Sequence, residues 1–395
     1  MDERTGLPVV TMIGGGQLAR MTHQAAIALG QSLRVVATGP NEPAALVAPD
    51  VVLGEHTDLD ALRRAATGAE AVTFDHEHVP GEHLRALVAE GHNVHPGPDA
   101  LLHAQDKLVM RTRLRDLGEP VPPFAAVASV EDVTAFAAEH RWPVVLKAVR
   151  GGYDGRGVWV LDDEDAAKTT VTELLAAGTP LMVEQKVTLR RELAAVLARS
   201  PFGQAAVWPV VETVQEQGIC TEVLAPAPGL DADRAEEAGE LALRVAAALG
   251  VVGLLAVELF ETERGLVVNE LAMRPHNSAH WTIEGSVTSQ FEQHLRAVLD
   301  YPLGSTATTA PVTVMANILG GDPVPATGVD ERLHHTLARF PEARVHLYGK
   351  AERPGRKVGH VTVLGDDLDD VRTRARLAAD HLSTGVWSDG WDPHQ

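Results

Sequence analysis

The chain has 395 residues, enough for two or three domains, and a 45% hydrophobic content ordinary for a soluble globular protein with an ample core. Its net charge of −20, from 34 basic and 54 acidic side chains, excludes a sequence-independent grip on nucleic acid or on an anionic membrane. Cys220 is the sole cysteine, the N-terminus is acidic, and the longest apolar window, Val245–Val257, spans only about 13 residues, so the expectation is a reduced, cytoplasmic protein with no membrane partner.

Val9–Ile13 reads as a β-strand, followed by GGGQLARM, an Ala-rich helix to Leu29 and a second strand at Leu33–Ala37. Strand, Gly-rich turn, helix, strand is the opening of a doubly wound α/β domain. Gly14, Gly16 and Ala19 meet a loose G-x-G-x-x-A pattern, but the second strand ends at Thr38-Gly39 and lacks the acidic residue that a dinucleotide wants. The turn is instead expected to hold a phosphate or polar ligand on free backbone N–H groups. A strand at Val51–Leu53, a helix at Leu59–Thr67 and a strand at Ala71–Phe74 then run into DHEHVP. Asp75, His76, Glu77, His78 and His83 match no metal-ligand spacing. Glu77, at the carboxyl end of a strand, is placed to contact a ligand in the crevice of the sheet.

A Pro/Gly turn opens a helix carrying Lys107 and several arginines, which by itself resembles any solvated basic helix. After a helix at Val130–His140, the strand Pro143–Val149 contains Lys147, whose ammonium needs an anion in such apolar surroundings. GGYDGRG follows, a Gly-rich flap between two strands that is suited to lie over a nucleotide but lacks the P-loop ending. The strand Leu181–Val187 offers backbone groups to an adenine edge, and Glu192 can accept from ribose hydroxyls or form a surface ion pair. A helix spans Asp231–Leu249.

Two apolar runs, Val251–Phe260 and one starting at Val267, are joined by ETERG and read as an antiparallel hairpin. Pairing Phe260 with Leu266 sets Glu258 opposite Val268, with Glu270 its diagonal neighbour on the same face, within reach of one or two hard cations. A one-residue slip would send the two carboxylates to opposite faces. Arg274, His276, Asn277 and His280 follow at once. STATTAPVTV then reads as a linker into a small third domain, where Lys350, Arg353, Arg356 and Lys357 form either a site for a phosphate monoester or an exposed basic turn. WSDGWDPHQ reads as a tail.

GGGQL (Gly14–Leu18), GGYDGRG (Gly151–Gly157), NELAMRPHNSAHW (Asn269–Trp281) and GRKVGH (Gly355–His360), in that order, resemble the ATP-grasp superfamily and, within it, the N5-carboxyaminoimidazole ribonucleotide synthetase family. The resemblance implies an ATP-grasp fold, α/β with an α+β central lobe. Residues 1–103 would form a doubly wound N-terminal domain, 104–303 the ATP-grasp domain with a flexible central lobe at about 122–187, and 304–395 a small C-terminal domain. It implies a homodimeric, ATP-dependent ligase of purine biosynthesis that carboxylates 5-aminoimidazole ribonucleotide with bicarbonate through carboxyphosphate. A sister ligase, such as the formate-dependent glycinamide ribonucleotide transformylase, would keep the Lys and Glu roles and change the acceptor.

By that resemblance Lys107 and Lys147 would bind the ATP phosphates, Glu184, Gln185, Lys186 and Val187 the adenine, and Glu192 the ribose, with Asn269 beside them. Glu258 and Glu270 would hold Mg2+, or Mn2+ in its place. Tyr153, Asp154, Arg274, His276 and Asn277 would surround bicarbonate and the amine, with Asp154 or His276 relaying its proton. Gly16, Gln17, Leu18, Glu77, Lys350, Arg356 and Lys357 would hold the ribonucleotide. The chain departs from the family pattern in placing Arg150 one position late, Met273 for Pro, Ala279 for Gly, His78 for Asn and Gln185 for Glu.

Overall fold

The computed structural model describes residues 2, 4–152 and 156–391. At the N-terminus, β1 (Val9–Ile13), β2 (Ser32–Ala37), β3 (Asp50–Leu53) and β4 (Ala71–Phe74) form a parallel sheet in the order β3-β2-β1-β4. The central β1 is buried at every position, so its VVTMI sequence is a continuous apolar run rather than an alternating one. The crossovers run through α1 (Gln17–Ala28), α2 (Leu59–Ala66) and α3 (Gly81–Ala89). The single basic helix expected next is two: α4 (Pro98–Gln105) and α5 (Lys107–Asp116). Asp106 separates them because its extended backbone ends the first, and its side chain caps the second by accepting from Val109 N–H at 3.0 Å.

The central lobe contains β5 (Phe124–Val127), α6 (Val130–His140), β6 (Val144–Ala148), β7 (Val158–Leu161), α7 (Glu164–Ala176) and β8 (Leu181–Gln185). Its strands pair antiparallel in the order β5-β8-β6-β7, and Val133, Phe136, Leu146, Val171 and Val183 form a core of their own. Strand β8 ends at Gln185, so Lys186 and Val187, expected within it, lie in the following segment.

The largest sheet is antiparallel throughout. It contains β9 (Arg191–Arg199), β10 (Ala205–Val207), β11 (Val211–Glu216), β12 (Ile219–Ala225), β13 (Gly253–Thr262), β14 (Gly265–Ala272), β15 (Val312–Leu319), β16 (Arg344–Leu347) and β17 (Lys357–Gly365). The order is β14-β13-β9-β11-β12-β15-β17-β16, with β10 on β9. Residues on both sides of position 304 therefore share one sheet, joined where Glu222–Ala225 pairs with Thr313–Ala316. Helix α8 (Ala232–Ala248) packs on β9 and β13. The short α9 (Thr282–Gly285) precedes α10 (Gln290–Val298), which leans on α1, and α11 (Val329–Arg339) and α12 (Leu368–Thr384) complete the C-terminal part. Glu222, buried on β12, accepts two hydrogen bonds from Arg372 of α12 at 2.7 and 3.1 Å, fixing that helix to the shared sheet. The final segment is anchored as far as Trp391: Trp387 stacks on His381 at 4.0 Å, and the Arg339 guanidinium lies 4.4 Å from the Trp387 ring and 4.9 Å from Trp391. Among the described residues no helix is long and apolar enough to cross a membrane.

Candidate active site

The acidic pair depends on an irregularity in the hairpin. Thr262 pairs with Gly265, so the turn is the two residues Glu263 and Arg264, and Phe260 faces Val267 rather than Leu266. Continued unbroken, that register would set Glu258 opposite Asn269 and turn Glu270 to the other face. A β-bulge intervenes: Leu259 pairs with Val268, then Glu258 with Glu270, and Asn269 is the extra residue. Glu258 and Glu270 are thus directly opposed, not diagonal. The phase slip is visible in the apolar pattern, which runs Leu266, Val268 and then Leu271, Met273.

Glu258 lines the cleft with its side chain 31% exposed, yet deep among protein atoms. Burial, together with the charges of Glu270 and Glu192, raises its carboxyl to about 7. Glu192 reaches this face because β9 pairs Ala194 with Glu258 and Glu192 with Phe260; burial raises its carboxyl too. Lys107, at the start of α5, donates to Glu270 Oε1 at 2.5 Å. Lys147 donates to Glu184 Oε2 at 2.9 Å and to Asn269 Oδ1 at 3.3 Å, and burial lowers its ammonium below the ordinary range. Asn269 in turn donates from Nδ2 to Glu258 Oε2 at 3.3 Å. Burial opposes ionisation of Glu184, but Lys147 and Arg111 outweigh it and hold that carboxyl low. Arg111, which nothing in its helix distinguished from a solvated residue, is 1% exposed and donates to Glu184 Oε1 at 2.7 Å. Its i+4 spacing from Lys107 on one helix face was the available signal. Gln185, the last residue of β8, is half-buried and Lys186 is exposed.

Across the cleft, Arg274 donates from Nε to Glu77 Oε2 at 2.7 Å. Burial works against its charge, and Glu77 with Asp75 and Glu270 more than compensates. Asp75 takes the role expected of a ligand at the Gly-rich turn. Its Oδ2 accepts Gly16 N–H at 2.7 Å, which sets a carboxylate of the protein itself at the start of α1. Gly14, at φ +111°, has no room for a Cβ against Asp75. Burial raises Asp75 to about 6 against the pull of Gly16 N–H and Arg274. A cavity of about 260 Å³ adjoins this turn, lined by Gly15, Thr38, Glu42, His56, Asp75 and His76. Gln17 opens α1, while the Leu18 side chain is buried against Met21, Phe291 and Tyr348. His56, His76 and His78 cluster with ring centroids 4.9 to 6.5 Å apart. Among the described residues no three His, Cys, Asp or Glu side chains are set to hold a metal by themselves.

The loop after β14 is pinned by α10. The Gln290 side chain accepts His276 N–H at 2.8 Å and donates to His276 C=O at 2.9 Å. His276 Nδ1 lies 2.9 Å from Ser278 Oγ and faces Ser278 N–H at 3.4 Å, while its Nε2 is 3.4 Å from Glu258 Oε1. Burial, with Arg274 and Lys357 nearby, lowers this imidazole to about 3. The Asn277 side-chain nitrogen is buried with no hydrogen-bond partner among the described residues. Ala279, where the family pattern has Gly, is fully buried beside Trp281, so its methyl group is packed rather than displaced.

From the C-terminal part, Lys357 begins β17 on this cleft, close enough that its charge acts on Glu258, His276 and His280. Lys350 Nζ lies 5.9 Å from the Tyr348 ring centroid, and Arg356 closes its loop by donating to Ala351 C=O at 3.2 Å. Gly320 lets that loop approach, its N–H donating to Arg356 C=O at 2.8 Å and its carbonyl accepting Gly355 N–H at 2.9 Å. Arg150 donates to Asp106 at 3.0 Å, so the displaced arginine serves the cap of α5. Tyr153 and Asp154 lie outside the described residues.

Three family models match the chain: a ribonucleotide synthetase preATP-grasp domain over residues 7–105, an ATP-grasp domain over 112–291 and a phosphoribosylaminoimidazole carboxylase C-terminal domain over 313–374. The N5-carboxyaminoimidazole ribonucleotide synthase of Mycobacterium tuberculosis is 63% identical over 389 residues, covering 98% of this chain and 91% of that protein. The synthetase structure from Thermus thermophilus superposes with a TM-score of 0.85 at 38% identity, covering 97% of this chain and 100% of that one. The Aspergillus clavatus enzyme, solved with ADP and 5-aminoimidazole ribonucleotide, gives a TM-score of 0.85 at 30% identity, covering 95% and 98%.

Proposed function

The chain belongs to the N5-carboxyaminoimidazole ribonucleotide synthase family, and from that premise we propose how its residues divide the reaction. The protein is an ATP-dependent ligase of purine biosynthesis. It joins bicarbonate to the exocyclic amine of 5-aminoimidazole ribonucleotide, giving N5-carboxyaminoimidazole ribonucleotide, ADP and phosphate. The observation that carries the division is the opposed pair Glu258 and Glu270, with Lys107, Lys147 and Arg274 around it.

Bicarbonate is a poor electrophile until a phosphoryl group makes one of its oxygens a leaving group, as in carboxyphosphate. Phosphoryl transfer needs mainly positioning and charge neutralisation. Lys107 and Lys147 would take the phosphates, the segment Glu184 to Val187 the adenine, and Glu192 the ribose, with Asn269 bridging Lys147 and Glu258. Glu258 and Glu270 offer the hard oxygens that would hold Mg2+, or Mn2+, and a cation there would relieve the repulsion that helps raise Glu258. When bound, that ion neutralises charge on the transferring phosphoryl group.

Arg274, oriented by Glu77, would hold bicarbonate, and the Asn277 nitrogen, which has no partner among the described residues, would donate to one of its oxygens. His276, whose Nε2 lies 3.4 Å from Glu258 Oε1, or Asp154 would relay the amine proton. The ribonucleotide would lie against Gly16 to Leu18 and Glu77, its phosphate met by Lys350, Arg356 and Lys357. Family membership also supports a cytoplasmic homodimer, which light scattering would test.

The test is ADP release with each substrate omitted in turn, on wild type and Glu270→Ala. Wild type should need both bicarbonate and 5-aminoimidazole ribonucleotide. Glu270→Ala should lose at least ~1000-fold in turnover, the several kcal/mol of charge stabilisation that a metal supplies. Its melting temperature should hold, because this side chain is 41% exposed. Wild-type turnover in the variant would refute the metal assignment.

A further inference from the structure

Arg111 closes a ring of polar contacts that joins the central lobe to the large sheet. Its Nε donates to Glu184 Oε1 at 2.7 Å and its Nη2 to the Asn269 carbonyl at 2.7 Å. Glu184 gives its second oxygen to Lys147 at 2.9 Å, and Lys147 returns to the Asn269 side-chain oxygen at 3.3 Å. Lys147 and Glu184 belong to β6 and β8 of the central lobe, Arg111 to α5 and Asn269 to the bulge of β14. Arg111, Glu184 and Lys147 are each no more than 8% exposed.

We propose that Arg111 is a positioning residue that cancels the charge of Glu184, so that the positive charge of Lys147 is left unbalanced for the ATP phosphates. This rests on the assignment of Lys147 to those phosphates. Two cations and one carboxylate leave the ring with a single net positive charge. Without Arg111, Lys147 and Glu184 would form a neutral buried pair, and an arriving phosphate would have to compete with a carboxylate already in contact, at a depth where charges are weakly screened. The planar guanidinium also serves the carboxylate and the Asn269 carbonyl at once, which a lysine ammonium does with less geometric control. The same hydrogen bond holds the bulge that directs Glu270.

The experiment measures ATP dissociation constants by calorimetry, and KM for each substrate, on Arg111→Met, Glu184→Gln, the double variant and Lys147→Ala. Arg111→Met should weaken ATP binding by about 10- to 100-fold, the range of a charge-assisted hydrogen bond, with KM for 5-aminoimidazole ribonucleotide unchanged. Adding Glu184→Gln, which keeps the backbone groups assigned to the adenine, should recover most of that loss, because Lys147 is released from its captor. Wild-type ATP affinity in Arg111→Met, or a double variant no better than the single one, would overturn the proposal, the latter by showing a merely structural role. If Arg111→Met fails to fold, Arg111→Lys decides: near-wild-type ATP affinity supports the charge argument and a loss of the full size overturns it. Wild-type affinity in Lys147→Ala would instead remove the phosphate assignment itself, whatever Arg111 does.

Discussion

At the scale of single residues, Glu258 sits where function and stability oppose each other. Burial and the facing carboxylate raise its carboxyl from 4.5 to about 7, so folding disfavours its ionised form. A group raised in this way stabilises the fold below its unfolded value and loses that contribution as pH rises through 7. Glu258→Gln should therefore raise the melting temperature of the metal-free protein at pH 8 more than at pH 5, while abolishing ADP release; scanning calorimetry at the two pH values checks it. A lower melting temperature at pH 8 would mean that the carboxylate is stabilised, not strained. Glu258, Glu270 and Lys147 were legible as candidates because charged groups in apolar strands demand partners, Arg274 and His276 because they follow at once, and Lys107 through the family resemblance alone. Arg111 and Asp75 were not. One is an arginine in an arginine-rich helix, and the other a carboxylate whose partner, Gly16 N–H, is 59 residues away.

Elements carry the next level of information, and here the hairpin was legible while its register was not. Five polar residues between two apolar runs conceal which two make the turn, and a bulge changes pairing without changing composition. The consequence is testable. Deleting Asn269 should restore an unbroken ladder that keeps Glu258 opposite Glu270 but removes the bend of the bulge and the Asn269 carbonyl held by Arg111. We expect the deletion to lower ATP turnover and magnesium-dependent nucleotide binding further than loss of the side chain alone does. Asn269→Ala, which keeps the extra residue, should lose only the contacts to Lys147 and Glu258, about 10-fold or so for uncharged hydrogen-bonding capacity. Equal damage from both changes would show that the side chain, not the bulge, matters. Strands β10 to β12 escaped the sequence altogether, since short pieces broken by Glu and Gln carry little alternation.

For the whole molecule, buried imidazoles set the acid limit. Burial holds His76, His276 and His294 at about 3, and His280 and His360 well below their ordinary 6.5. Below pH 6.5 the unfolded chain takes up protons that the folded chain refuses, so stability falls with pH by up to about 1.4 kcal/mol per unit for each such group. Asp75 and Glu258, raised to about 6 and about 7, act in the opposite sense and offset part of this. The imidazoles are the larger set, so the melting temperature without nucleotide or divalent ions should drop between pH 6.5 and 5. A flat profile would show that these rings protonate in place. The architecture at this scale was mostly legible, because a parallel opening domain and ordered motifs survive errors in individual boundaries.

The sheet that runs from β14 to β16 without a break has a consequence for any attempt to change what the enzyme carboxylates. The basic loop at 350–357 hangs from strands that complete the same ladder on which Glu258 and Glu270 are mounted. A new acceptor cannot be fitted by grafting a foreign C-terminal third as a cassette: the graft would have to re-knit the β12–β15 seam and replace Arg372 beneath Glu222. Without that repair it would leave a bare apolar strand edge, open to pairing with its neighbours in solution.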